Sequence, residues 1–143
     1  MKPIGLLLFC LLTASASSVD PLVVIANYAK FLESGDCDAW AKLFSSNGCK
    51  IDSPAPSCGY DALLAFCQNK APFVGNLAYS LRGTTLVSHV QDSFYCLAGF
   101  LLGGRTASGT VISQSGFNSF VINATTGRIN ECTGYLEQQA KSN

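Results

Sequence analysis

The sequence predicts an α+β fold in which helices come first and a curved antiparallel β-sheet follows. Three observations carry that expectation. Apolar residues recur at helical spacing as far as Asn69; after Gly75 the chain turns to long runs of β-branched and aromatic residues; and hydrophobic residues make up 48% of the chain against 13% charged. Helices followed by a run of strands is the order of an α+β architecture, and so large an apolar share suits one compact domain rather than a disordered chain. A curved sheet covered on one side by helices wraps around a pocket.

The first eighteen residues, "MKPIGLLLFCLLTASASS", begin with a basic Lys2, continue as an apolar run from Ile4 to Leu12 and end in small residues. That is the layout of a cleaved secretory signal, too short in its apolar part to cross a bilayer as a helix. Residues 19–143 are then expected as a single exported domain, with no membrane span. Without Lys2, eight basic side chains face nine acidic ones. A nearly neutral chain with scattered cations lacks the basic patch that nucleic-acid binding requires.

The first helix is expected to start at Asp20-Pro21, an N-cap side chain followed by a proline whose missing N–H costs nothing at the first helical position. Leu22, Ile25, Ala29 and Leu32 keep helical spacing until Gly35 stops it. Asp36 or Asp38 can cap a second helix that buries Trp40, Leu43 and Phe44 and ends at Asn47-Gly48. The stretch "CKID" reads as a short strand, "SPAPSCG" as a loop, and Asp61 to Asn69 as a third helix burying Leu63, Leu64 and Phe66. The runs "LAYSLRG", "TTLVSHV", "SFYCLAGFLL", "GTVISQSGFNSFVI" and "GRINECTGYL" read as strands, with "ATTG" as a hairpin turn.

Setting Cys10 aside with the leader leaves Cys37, Cys49, Cys58, Cys67, Cys96 and Cys132. An even number in a small exported domain reads as three disulfides, with fifteen pairings open. No C-x-x-C occurs and the single histidine, His89, lies in an expected strand, so no metal site is read. The Gly103-Gly104 pair lacks the context of a phosphate loop, and no serine sits in a nucleophile elbow. Asn123-Ala124-Thr125 is a glycosylation sequon at the expected hairpin tip.

The order of elements and three segments resemble the nuclear transport factor two-like superfamily, in particular its SnoaL-like polyketide cyclase and ketosteroid isomerase branches. The segments are "ANYAKFLESGDCDAWAKLF", "IDSPAPSCGYDALLAF" and "GFNSFVINATTGRINECTGYL". The resemblance implies a cone-shaped, cystatin-like roll with three N-terminal helices packed over the concave face of the sheet and an apolar cavity opening at one end. In ketosteroid isomerases an aspartate base works beside a tyrosine and a protonated acid that stabilise the developing oxyanion. Matched motif by motif, these positions fall on Asp52, Tyr28 and Asn118, the last an amide where the family has an acid. Trp40, Phe66, Phe120 and Leu136, with Tyr28, are the expected cavity wall.

Each of these residues also has a plain structural reading. Tyr28 can be a core tyrosine, Asp52 a turn former before Ser53-Pro54, and Asn118 a polar residue on the outer face. Strand alternation supplies a check, because an inward Asn118 brings Gly116 and Phe120 inward with it. Three functions are carried forward, none with a cofactor: binding of a small hydrophobic molecule; an isomerase, cyclase or dehydratase using Asp52 as base with Tyr28 and Asn118 as donors; and a protein-interaction module dimerising through the sheet.

Overall fold

The computed structural model describes residues 19–52, 55–69 and 73–137. The expected leader, Ser53 and Pro54 lie outside these residues. Helix α1 (Pro21–Ser34) starts where Asp20 accepts from the Leu22 N–H at 2.9 Å and stops at Gly35, whose φ of 73° is the left-handed cap that glycine takes most readily. Its buried residues Ile25, Tyr28 and Ala29 share one face, as i, i+3 and i+4 require. That face lies against β3 (Phe73–Val90) and β4 (Ser93–Thr106).

Helix α2 (Cys37–Ala41) is capped by Asp36, which accepts from the Ala39 N–H at 3.2 Å. It is shorter than expected, because the chain from Phe44 joins the sheet instead of continuing the helix. Strand β1 (Phe44–Asp52) pairs Phe44 with Ile129, and the Ile129 N–H donates to Leu43 O at 2.9 Å. Pairing with β6 (Ile129–Leu136), an interior strand of the sheet, outweighs local helix propensity here.

The stretch expected as a loop carries β2 (Ala55–Cys58), which turns back along β1 with Cys49 opposite Cys58 and Pro56 opposite Ile51. Because β2 is an edge strand, proline's missing N–H breaks no ladder. Helix α3 (Tyr60–Gln68) follows Gly59 and presents Leu63 and Cys67 to the interior.

Strand β3 replaces two expected strands. The register shift between Arg82 and Leu86, beside Gly83 at φ 71°, is a bulge in one strand rather than a turn between two. With β5 (Val111–Asn123) and β6 (Ile129–Leu136) the sheet runs β2-β1-β6-β5-β4-β3 and curls into a half-barrel. It is mixed, not purely antiparallel, since β1 enters beside the last strand and runs parallel to it.

Among the described residues two disulfides form, Cys37–Cys67 joining α2 to α3 and Cys49–Cys58 closing the β1–β2 hairpin. The expected third does not: Cys96 and Cys132 are buried free thiols. Both pair with Phe120 from opposite sides, which puts them two strands apart, about 10 Å, beyond the ~7 Å that a disulfide spans between Cα atoms.

Candidate functional site

Along β5 the buried residues are Gly116, Asn118, Phe120 and Ile122, while Phe117 is exposed. Asn118 therefore faces the interior with Gly116 and Phe120, as the alternation check asks. Register carries this parity across the sheet: Asn118 lies opposite Gly134 and Ala98, and Phe120 opposite Cys132, which pairs with Lys50. Lys50 and Asp52, two residues apart on β1, enter on the same face.

They meet. The Lys50 ammonium donates to Asp52 Oδ1 at 2.5 Å and reaches Asn118 Oδ1 at 3.5 Å. The amide group of Asn118 turns its other end to Tyr79, with Nδ2 donating to the phenolic oxygen at 2.6 Å. Lys50 Nζ also stands over the Phe66 ring, 5.8 Å from its centroid. The Lys50 side chain is 5% exposed and that of Asp52 38%, so the cation is inside and its counter-ion reaches the solvent at the rim.

Gly134 floors this cluster. A β-carbon there would stand 2.6 Å from Asp52 Oδ1, 2.9 Å from Lys50 Nζ and 3.2 Å from Asn118 Oδ1. The polar atoms occupy the volume that any other residue's side chain would claim. Lysine at position 50 is the residue that sequence reasoning passed over. Once Asp52 is aimed inward, alternation along "KID" aims Lys50 inward too, and that signal was available.

Tyr28 is 1% exposed and lies deeper, its hydroxyl accepting from the Cys132 thiol at 3.7 Å. No hydrogen bond joins it to Asp52 or Asn118; Tyr79 is the tyrosine that Asn118 meets. Burial is the main cause holding the Tyr28 hydroxyl well above its ordinary range, and it does the same to Tyr79, partly offset by the Asn118 bond. Both phenols stay neutral and keep their protons. Burial likewise pushes the Cys132 thiol up to about 11.

The expected wall residues divide. Trp40 and Phe120 are 0% and 1% exposed and belong to a ring cluster, with Tyr28 5.5 Å from Trp40 and 5.1 Å from Phe120. Phe66 stacks on Trp40 at 5.8 Å and is the ring that faces Lys50. Tyr79 and Phe100 continue the cluster, stacked at 5.2 Å. Leu136 lies opposite Gly116 on the same face at the rim and is 58% exposed. The Trp40 indole N–H is a buried donor with no acceptor among the described residues, a feature uncommon enough in folded proteins to need an explanation.

A cleft of about 450 Å³ lies at the other end of β1, lined by Phe44, Ser45, Ser46 and Arg128 among others, away from this cluster. Among the described residues no group of three His, Cys, Asp or Glu side chains converges to hold a metal. No helix among them is long and apolar enough to cross a membrane.

No family model and no curated protein matches the chain. Solved structures do. An NTF2-like protein with a cystatin-like fold from Novosphingobium aromaticivorans is 22% identical with a TM-score of 0.69, covering 83% of this chain and 80% of its own. A nuclear transport factor 2 (NTF2-like) superfamily protein from Salmonella enterica is 12% identical with a TM-score of 0.70, covering 82% and 88%. A protein with a ketosteroid isomerase-like fold from Catenulispora acidiphila is 13% identical with a TM-score of 0.64, covering 78% and 83%. At these identities the likeness speaks for architecture, and the chain has the NTF2-like, cystatin-like fold.

Proposed function

We propose that residues 19–143 form an exported SnoaL-like domain that binds a small hydrophobic molecule, with the polar end of that molecule at the Lys50, Asp52 and Asn118 cluster. The observation that carries this reading is the buried ammonium. Taking a lysine out of water costs several kcal/mol, and a single rim carboxylate is a modest return if stability is all that is gained. A donor, an acceptor and an aromatic wall at one end of an apolar interior is the composition of a ligand site. Leu136, 58% exposed, offers apolar surface at the rim. Export is supported by the two disulfides and by the leader-like residues 1–18.

Native mass spectrometry of the oxidised protein, purified from its own host without detergent, tests the reading. A retained organic molecule, released when Lys50→Met is introduced, is the expected result. A chain that carries nothing, and whose Trp40 fluorescence does not respond to hydrophobic ketones or alcohols, would overturn it.

Catalysis by Asp52 is the weaker reading. A base must meet a carbon acid, and the Asp52 oxygen that faces inward already holds Lys50. A dimer through the outer sheet face is a separate reading favoured by one observation: Tyr95, Leu97, Leu101, Phe117 and Tyr135 are exposed there, with Phe117 and Tyr135 stacked at 5.0 Å. Sedimentation of Phe117→Lys against the wild type decides it.

A further inference from the structure

We propose that Lys50 captures carbonyl compounds covalently, forming a protonated imine with the aldehyde or ketone group of a hydrophobic molecule. The inference rests on the binding reading above and adds the chemical class of the ligand. Four observations converge on it. The amine is buried, Asp52 is bonded to it at 2.5 Å, an aromatic ring covers it at 5.8 Å, and the carboxylate side chain is 38% exposed, so the cluster opens to the solvent through Asp52. Lysine amines desolvated in apolar surroundings are the groups that proteins use for this bond, and Asp52 is the base at hand to free the lone pair.

The step balances without an oxidant or a cofactor. Asp52 takes one proton from the Lys50 ammonium, and the freed lone pair adds to the carbonyl carbon while the carbonyl electrons move to oxygen. One proton then moves from the added nitrogen to that oxygen, giving the neutral carbinolamine; its hydroxyl gains a second proton from the Asp52 carboxylic acid, the C–O bond breaks as the nitrogen lone pair forms the C=N bond, and water leaves. The product is R–CH=NH⁺–Lys50 facing an Asp52 carboxylate again. One cation and one anion stand in the site before and after, so the buried pair never loses its partner. A reaction that changed the charge of the cluster would leave one member unpaired in a poorly solvated place.

The Asn118 amide oxygen, 3.5 Å from Nζ, is placed to accept from the iminium N–H as it does from the ammonium. Phe66 lies beside the amine where an alkyl or ring substituent of the carbonyl would run, and it stacks on Trp40. Trp40 is the one tryptophan of the sequence and therefore reports occupancy of this wall.

The experiment uses the full oxidised chain with nonanal as probe and nonanol as the analogue that cannot condense. Each is titrated against Trp40 fluorescence, and nonanal is then trapped with cyanoborohydride at neutral pH and mapped by peptide mass spectrometry. The exposed Lys30 and Lys42 and the α-amino group serve as internal controls. Lys50 is expected to carry about 10-fold more adduct than any of them, because the bound carbonyl is held beside it. Asp52→Asn is expected to slow labelling of Lys50 and leave that of Lys30 unchanged. Lys50→Arg is expected to lose the adduct at position 50 while labelling of Lys30 and Lys42 is unchanged; the wild-type map stands on its own if that variant does not fold. Saturable binding of both probes with no preference for Lys50 overturns covalent capture and leaves the binding reading intact. No binding of either probe together with an unlabelled Lys50 overturns both.

Discussion

Removing either member of the Lys50–Asp52 pair has unequal consequences, and their order follows from where each end sits. At 2.5 Å the gross attraction is about 7 kcal/mol for an effective dielectric of about 20. Burying the ammonium consumes several kcal/mol of it, which leaves a net coupling of about 1–3 kcal/mol. Asp52→Asn strands a cation whose side chain is 5% exposed, with the Asn118 oxygen at 3.5 Å the one acceptor left among the described residues. That variant is expected to cost about 3 kcal/mol. Lys50→Met leaves a carboxylate 38% exposed, which water can solvate, and keeps the length and volume of the buried stem. It is expected to cost about 1 kcal/mol. The double variant should recover most of the Asp52→Asn loss, because no charge is then buried. Urea unfolding of the oxidised protein at pH 7 measures all three as midpoint shifts at constant slope. If Lys50→Met proves costlier than Asp52→Asn, the amine is anchored by something other than the carboxylate. A coupling within error of zero would mean that the two groups do not meet in solution.

Other expectations follow from the same geometry. Gly134→Ala drives a methyl group to 2.6 Å from Asp52 Oδ1 and 2.9 Å from Lys50 Nζ, so it should lower stability by about 2 kcal/mol and weaken ligand retention; a neutral result in urea unfolding would argue that the cluster has room to move. Thiol titration of the domain in denaturant should find two reactive groups, Cys96 and Cys132, neither of which reacts in the native state; no reactive thiol would restore the third disulfide. Because burial raises the Cys132 thiol to about 11, the native state holds that proton more tightly than the unfolded chain does. The stabilisation is complete below the unfolded value near 9 and is lost as pH rises through about 11, by a few kcal/mol at most, and Cys132→Ala should flatten that part of the curve. Replacing Cys37 and Cys67 by alanine should cost about 3.5 kcal/mol, and replacing Cys49 and Cys58 about 2.5 kcal/mol, from the lengths of the loops they close, as judged by the same unfolding midpoints.

How much of this was legible in the sequence depends on how local each signal is. Asp20-Pro21 and Gly35 bound α1 because caps act within a few residues, and they are found where the sequence places them. The second helix is misjudged because its last stretch, Phe44 to Gly48, is claimed by β6, some eighty residues later in the chain. No window of sequence contains that competition. Pairing order is lost for the same reason: the strands of "CKID" and "GRINECTGYL" look alike whether they run parallel or antiparallel, and only the assembled sheet makes them parallel. Cysteine parity suffers too, since an even count says nothing about whether Phe120 stands between Cys96 and Cys132.

The site tells the opposite story, because there a local rule sufficed and was applied to one residue only. Alternation along β5 correctly turns Asn118 inward with Gly116 and Phe120. Applied to β1, the same two-residue period turns Lys50 inward with Asp52. A positive charge beside the candidate base changes what the pocket can do: it turns an acid poised over a carbon into an acid already paired, and it introduces an amine where the family resemblance supplies only oxygen donors. Tyr79 completes the change by taking the Asn118 amide that had been assigned as an oxyanion donor. A lysine at position 50 is thus the residue whose chemistry separates this chain from what its architecture alone would suggest, and a charge-conserving reaction is the kind that its buried pair can accommodate.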